Sequence, residues 1–414
     1  TFEMKLAIYN FFILISIPIF ALRIIFKSTV DSGYRKFFFN RFGFSLERFP
    51  SSEKKIIWFH AVSLGEVIGS ELLIKKLSQN FDVVLTTSTP TGLRKAKDIY
   101  SKNIVIHYAP WDLIFIINRF INFYKPRAIL VFETELWPTM ISMANKKSIP
   151  LFLMNGRLSE KSYQRYTLWS WLFSEVLQRI TFLFVQTSAH KERFLKLGIK
   201  EDRIAIAGSV KFDIARKDVQ PKKISKFILA ASTHPGEEEQ LLKVYDNFSA
   251  KNDFKLFICP RHEERAEGIA QKAISMGFKV SLFSELRDEP YEVCIINSTG
   301  FLSEFYASAS MAFVGGSLVA RGGHNLIEPA VLGAPIIIGP HTFNFEDIVQ
   351  EFLNNQACVR VSNQAQLLDA IEFFSRNEEL ADEYAQRAKE VVKKNKGSTE
   401  VQASYIIKQL GENH

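Results

Sequence analysis

Acids, hydroxyls and cations recur directly behind apolar runs of this 414-residue chain, where packing gives no reason to place them. His60-Ala-Val-Ser-Leu-Gly65-Glu66 follows one such run. Gly65 permits a tight turn, and Glu66 falls in the first turn of the helix expected next, where the helix dipole favours an ionised carboxylate. Such a carboxylate in a cleft can act as a general base, although one that only caps its helix has the same local signature. Glu133-Thr-Glu135-Leu-Trp-Pro138 sets two acids behind the run Ala128 to Phe132, either as site groups or as a solvated turn. Ser232-Thr233-His234-Pro235-Gly236 combines small hydroxyls with backbone amides at a helix start, which suits a phosphate. Cys259-Pro260-Arg261-His262 adds a guanidinium fork. Gly315-Gly316-Ser317 and Gly322-Gly323-His324-Asn325-Leu326-Ile327-Glu328 let the backbone approach a ligand, and Glu328, one turn into a helix, suits a ribose diol. Ordinary turns and structural histidines produce any one of these. Their recurrence at strand ends in both halves singles out the set.

Open parallel sheets bind ligands beyond the carboxyl ends of their strands, and the chain has the pattern such sheets require. Apolar runs at Ile56 to Phe59, Val83 to Thr86, Ala128 to Phe132, Leu151 to Met154 and Leu183 to Val185 alternate with helical stretches such as Val67 to Leu77 and Thr139 to Asn145. A second series, after the polar stretch Arg216 to Lys226, runs through Phe227 to Ala231, Leu256 to Cys259, Val293 to Ile296, Met311 to Val314 and Pro335 to Ile338. The alternation predicts an α/β fold of two Rossmann-like, doubly wound domains facing a cleft. The boundaries expected are a membrane-anchor helix at 4–27, a first α/β domain at 28–215, a second at 216–395 and a C-terminal helix at 396–414, for which a return to the first domain is one path.

From Leu6 to Leu22 the chain is interrupted only by Asn10, Ser16 and Pro18, with Ile24 to Phe26 extending the run. That length suits a tilted membrane span or an interfacial anchor; a helix buried in the soluble core is the alternative. Arg23, Lys27, Arg35, Lys36 and Arg41 follow it and place the bulk of the chain in the cytoplasm. Tyr34 to Phe49 interleaves Phe37, Phe38, Phe39, Phe42 and Phe44 with basic residues, a composition suited to lipid head groups. Thr1 to Glu3 precede Met4 and are set aside from the fold. The formal charge of +8 favours an anionic partner, whether membrane surface, phosphorylated substrate or nucleic acid. Dispersal of the basic residues argues against nucleic acid. Cys259, Cys294 and Cys358 lack metal-ligand or redox spacing and read as buried thiols in a reducing compartment.

Taken together, the segments from His60 to Glu66 and Glu133 to Pro138, with Gly208-Ser-Val-Lys211-Phe-Asp213, Ser232 to Glu237, Pro260-Arg-His262, Phe313-Val-Gly-Gly-Ser317 and Gly339-Pro-His-Thr-Phe-Asn-Phe345, resemble the 3-deoxy-D-manno-octulosonic acid (Kdo) transferases of lipopolysaccharide assembly. The resemblance runs from the apolar N-terminus to the last helices. It implies a GT-B fold and transfer of Kdo from CMP-Kdo to lipid A precursor (lipid IVA) at the cytoplasmic side of the inner membrane. It also implies inversion at the anomeric centre, no metal, no cofactor beyond the donor, and membrane lipid as a partner. By the same resemblance Glu66 matches the base that deprotonates the acceptor hydroxyl. Glu133 and Lys211 match positions that stabilise the transition state, with Glu135 beside them. Pro260 and Arg261, with His262, match a CMP-binding loop, and Asn325, Leu326, Ile327 and Glu328 a second contact. Thr299-Gly300-Phe301 matches a third, where Phe301 replaces an acid and only a backbone contact would survive. Ser232, Thr233, Gly316 and Ser317 complete the expected donor site, because a departing phosphate needs cations or helix-end amides. A transferase or epimerase acting on a UDP-sugar and a non-catalytic, nucleotide-sensing membrane module share the fold and stay open at this point.

Overall fold

A computed structural model describes residues 1–29, 31–36, 38–49, 53–100, 104–213, 219, 226–285, 290–298 and 300–411. Phe37, Thr299 and the proposed boundary stretch at 214–218 and 220–225 lie outside these residues. The chain divides into two compact units, one of Thr1–Ile214 with Lys396–His414 and one of Ala215–Asn395.

The first unit holds α1 (Phe2–Ser28), β1 (Ile56–His60), α2 (Leu64–Gly69), α3 (Glu71–Leu77), β2 (Asp82–Thr87), α4 (Pro90–Ile99), β3 (Ile104–Tyr108), α5 (Ile114–Tyr124), β4 (Ala128–Phe132), α6 (Pro138–Lys146), β5 (Leu151–Gly156), α7 (Glu160–Leu168), α8 (Ser170–Leu177), β6 (Phe182–Val185), α9 (Ser188–Lys196) and β7 (Ile204–Ile206). The second holds β8 (Phe227–Thr233), α10 (Glu237–Asn247), β9 (Lys255–Pro260), α11 (Ala266–Ser275), β10 (Val280–Leu282), β11 (Val293–Ile295), α12 (Leu302–Tyr306), β12 (Met311–Val314), α13 (Ile327–Leu332), β13 (Ile336–Ile338), α14 (Glu346–Asn354), β14 (Val359–Arg360), α15 (Gln364–Arg376) and α16 (Glu378–Lys394). The last helix, α17 (Ser398–Gly411), belongs to the first unit.

Each unit carries one seven-stranded sheet, ordered β3-β2-β1-β4-β5-β6-β7 in the first and β10-β11-β9-β8-β12-β13-β14 in the second. The ladders are parallel, for example Ile57↔Ala128 and Phe313↔Ala230. Parallel strands covered on both faces read as unbroken apolar runs, which is why IIWFH and AILVF form central strands. Alternate residues serve opposite faces: Trp58, Ile129 and Leu153 join one core layer, while Phe59, Leu130 and Met154 join the other. Winding reverses between β1 and β4 and between β8 and β12, and the loops leaving these strands flank the crevice where such sheets take ligands.

Several expectations are corrected. The single helix expected over Val67 to Leu77 is two, α2 and α3, divided at Ser70, because a Gly69-Ser70 pair supports a helix poorly. Phe2, set aside with the residues before Met4, lies inside α1 and is buried, with the Arg179 guanidinium 3.5 Å from its ring centroid. The segment from Tyr34 to Phe49 does not face outward as a whole. Arg41 is buried against the Tyr108 ring, and Phe38 and Phe42 pack on Trp111. Phe39 and Phe44 remain exposed. The inner side of α1 packs on α6 and α8, so α1 follows the first unit rather than standing clear of it. Its outer side leaves Met4, Phe11, Ile15, Ile19, Leu22 and Phe26 exposed at helical spacing, a surface no soluble core would leave bare.

After α16 the chain returns to the first unit. Asp213 accepts the Gly397 and Thr399 amides at 2.7 Å each, and Gln402 Oε1 accepts the Asn155 amide at 2.9 Å. Ala403, Ile406 and Leu410 then close one face of the first sheet, with Tyr405 against Phe152, Phe182 and Phe184. Asp213→Ala leaves the start of α17 without its acceptor. We expect a loss of about 1–2 kcal/mol in urea unfolding and faster amide exchange along α17. An unchanged midpoint would mean that the apolar face alone holds the helix.

Candidate functional site

Ser63 caps α2, accepting the Glu66 amide at 3.3 Å, and Glu66 reaches back: its Oε2 accepts the Val62 amide at 2.8 Å and its Oε1 the Ser63 hydroxyl at 2.9 Å. Glu66 is therefore a capping residue as well as a candidate base. These bonds fix the carboxyl group and leave acceptor positions unused, since a carboxylate has about four. The residue is 9% exposed. Burial, then the charge of Glu133, pushes its pKa up to about 8, against the lowering pull of the Val62 amide. The expectation that the helix dipole keeps Glu66 ionised is thus corrected, because loss of solvent outweighs the dipole.

Glu133 leaves β4 with φ +57°, a left-handed conformation that a non-glycine residue adopts at a cost, and its amide is fixed by the Met154 carbonyl at 2.9 Å. Its carboxylate sits 3.1 Å from Lys211 Nζ. Lys211 comes from the short turn Val210–Asp213 that follows β7. A Cβ on Gly69 would meet Lys211 Cε at 3.7 Å, so the lysine stem runs over the helix that carries Glu66. Glu135 accepts the Trp137 indole N–H at 3.0 Å, and burial followed by Glu133 raises its pKa. The Trp137 ring meets His60 edge-on at 4.4 Å. His60 is fully buried and held neutral, its pKa pushed down to about 3. The fold of the first unit thus gathers Glu66, Glu133, Glu135 and Lys211 at the ends of β1, β4 and β7.

In the second unit the amides expected to meet a phosphate already hold a carboxylate. Glu237, with no exposed surface, accepts N–H groups from His234, Gly316, Ser317 and Leu318 at 2.7–3.0 Å. The Thr233 hydroxyl donates to Glu238, which also holds Arg265 at 2.7 Å. Ser232, at the register shift near the end of β8, is left-handed at φ +55°. Ser317 accepts the Gly339 amide at 2.8 Å, and a Cβ on Gly339 would lie 2.3 Å from the Ser317 carbonyl group, so only glycine fits there. Thr233, Gly316 and Ser317 therefore build the loops rather than offering free donors.

What those loops present is positive. Arg261 is fixed by its amide on the Thr233 carbonyl at 3.0 Å, while its guanidinium is exposed and makes no ion pair among the described residues. The rings of His234 and His324 lie parallel within 3°, with their Nε2 atoms 3.0 Å apart. Burial, then Arg261, pushes the His324 pKa down to about 4, and burial, then Arg321, lowers that of His234. The neutral pair thus sits beside two cations. Sequence reasoning missed Arg321 and passed over His234; the one available signal was a cation directly before Gly322-Gly323. Pro260 is buried at the end of β9, and His262 beside it is exposed. The Asn325 side chain, two residues before α13 begins, accepts the Ile327 amide at 3.0 Å. Leu326 and Ile327 are fully buried and have only backbone to offer a ligand. Glu328 is the second residue of α13, not one turn in, and accepts the Ser303 hydroxyl. Gly300 has φ +93°, and the Phe301 ring packs 5.6 Å from Phe283.

Residues 36–214 match the family model for 3-deoxy-D-manno-octulosonic-acid transferase (kdotransferase), and residues 237–391 match glycosyl transferases group 1. The chain is 33% identical to the 3-deoxy-D-manno-octulosonic acid transferase of Haemophilus influenzae over 415 residues, 94% of this chain and 95% of that protein. With the enzyme of the same description from Aquifex aeolicus it shares 32% over 340 residues, 81% of this chain and 90% of that one. Among solved structures, UDP-GlcNAc 2-epimerase from Neisseria meningitidis bound to UDP-GlcNAc superposes with a TM-score of 0.58 at 15% identity, covering 86% of this chain and all of that one. MurG of Acinetobacter baumannii gives 0.57 at 13%, covering 86% and 99%. At such identities the structures speak for the GT-B fold alone, whereas the sequence relatives speak for the chemistry. The chain belongs to the 3-deoxy-D-manno-octulosonic acid transferase family of glycosyltransferases.

Proposed function

We propose that the protein transfers Kdo from CMP-Kdo to lipid A precursor (lipid IVA) in lipopolysaccharide biosynthesis, by a single displacement that inverts the anomeric centre and uses no metal or further cofactor. The observation that carries the reading is the Glu66 carboxyl group, fixed by two hydrogen bonds at the winding reversal of the first sheet, with acceptor positions to spare. In the proposed step Glu66 takes the proton of an acceptor hydroxyl as that oxygen bonds to the anomeric carbon of Kdo. The bond from that carbon to the CMP phosphate oxygen breaks, and its electron pair leaves with the phosphate. Arg261 and Arg321 supply positive charge to the departing group, the task that a metal performs in other transferases. Lys211, oriented by Glu133 at 3.1 Å, offers a further cation to the charge that develops.

The exposed apolar stripe of α1 supports anchoring at the inner membrane, on its cytoplasmic side. Packing at both ends of the helix, through Phe2 and Leu6 at one and the Lys27–Tyr34 contact at the other, favours a helix lying in the interface over one that crosses the bilayer.

The deciding assay incubates the protein with CMP-Kdo and tetraacylated lipid A precursor in the presence of EDTA. We expect a Kdo-bearing lipid by mass spectrometry and inverted configuration by NMR; turnover of a UDP-sugar instead would overturn the reading. Glu66→Gln should keep CMP affinity in calorimetry and lose transfer by ~10³-fold. Because the Glu66 carboxyl group holds its proton below about 8, kcat/KM should rise with pH through that value in the wild type. A flat profile would remove Glu66 from its role. Arg261→Ala should weaken CMP binding by about tenfold or more with little change in thermal stability, and unchanged affinity would mean the phosphate lies elsewhere.

A further inference from the structure

A groove of about 420 Å³ runs between the inner face of α1 and the loops that follow β2 and β3, all within the first unit. Its walls are chemically divided. Ile13, Ile17 and Phe20 of α1 make it apolar along its length, and Arg23, Lys27 and Arg41 make it basic at one end. Arg41 is the unusual member. It is only 5% exposed, one terminal nitrogen donates to the Ser88 carbonyl at 3.0 Å, and the guanidinium lies 4.0 Å from the Tyr108 ring centroid. Its Nε–H has no partner, and among the described residues no carboxylate pairs with it. A buried guanidinium without a counter-charge is costly, and the space it faces is this groove.

The nearby acids are already engaged. Asp31 is held by both terminal nitrogens of Arg94 at 3.0 and 2.9 Å, and Asp112 accepts the Thr139 and Met140 amides and the Tyr9 hydroxyl at 2.8–3.0 Å. The groove also takes in Thr89, the cap of α4, so the dipole of a ten-residue helix adds to the positive potential. At another part of its wall is Trp137, whose indole N–H is bonded to Glu135.

We propose that this groove seats the acceptor as an acylated phosphosugar: its phosphate monoester at Arg41, Arg23 and Lys27, an acyl chain along Ile13, Ile17 and Phe20, and its sugar toward Trp137 and the carboxylates beyond. The proposal rests on the acceptor assigned above and adds the residues that hold its phosphate and an acyl chain. Three cations suit a phosphate monoester, which carries between one and two negative charges at neutral pH. The apolar wall disfavours a nucleotide, and the approach to Trp137 favours a reacting lipid over bulk phospholipid.

The test uses the full chain in non-ionic detergent micelles, with the phosphorylated acceptor and its dephosphorylated counterpart. Arg23→Ala/Lys27→Ala, on the rim and remote from the fold's core, should raise KM for the phosphorylated acceptor about tenfold, leaving kcat and the CMP-Kdo KM unchanged. With the dephosphorylated acceptor, variant and wild type should behave alike. Arg41→Lys, checked for native circular dichroism, should show a smaller rise of the same kind. An unchanged KM, or equal losses with both acceptors, overturns the proposal. So does a variant that keeps its acceptor KM but no longer partitions onto vesicles of phosphatidylcholine with phosphatidylglycerol, for then the groove serves bulk anionic lipid. Should the wild type not transfer Kdo at all, the reading of function fails by itself. Equilibrium binding of the two acceptors, followed by tryptophan fluorescence, then decides the groove: phosphate-dependent binding lost in the double variant supports it, and phosphate-independent binding sinks it.

Discussion

A parallel sheet sends every strand out at the same edge, and that constraint arranges most of the candidate site residues in this protein. Strands buried on both faces have no room for charge along their length, so charge appears where the chain leaves the sheet. Glu66, Glu133 and Lys211 come from the ends of β1, β4 and β7, and Thr233, Arg261 and Gly316 from the ends of β8, β9 and β12. The apolar runs thus act as rulers that set distant stretches of sequence side by side.

The two units treat charge in opposite ways. In the first, acids crowd together out of water, and burial with like-charge repulsion holds Glu66 in its protonated form near neutrality. In the second, buried acids are consumed by structure: Glu237 is taken up by four amides, Glu238 by Thr233 and Arg265. Among the described residues Arg261 and Arg321 make no ion pair. A carboxyl group with a raised pKa becomes a stronger base once its proton has left, and exposed guanidinium groups attract anions, so the two units offer complementary chemistry.

The sequence carried the fold well wherever apolar runs were long. Ala128–Phe132 and Met311–Val314 have the bounds that their composition indicates. It carried it poorly at sheet edges. Val359–Arg360 is too short to show any period, and His107 and Tyr108 blur the end of β3. The site residues were legible as types at strand ends, and their motifs pointed to the family. Their partners were not, because a partner is a matter of distance in space. Glu237 reads as one more acid at a helix start, yet it fills the nest that seemed made for phosphate. Arg41 reads as a head-group cation among phenylalanines, yet it is buried against Tyr108.

The placement of α17 has a bearing on how the chain is made. Tyr405, Ile406 and Leu410 cover Phe152, Phe184 and their neighbours, but they are translated only after every strand of the second sheet. On the ribosome, the first-made half must therefore wait with one flank of its sheet bare while the second half is synthesised. A segment of that kind invites chaperone binding or early contact with lipid until the final helix emerges and seals it.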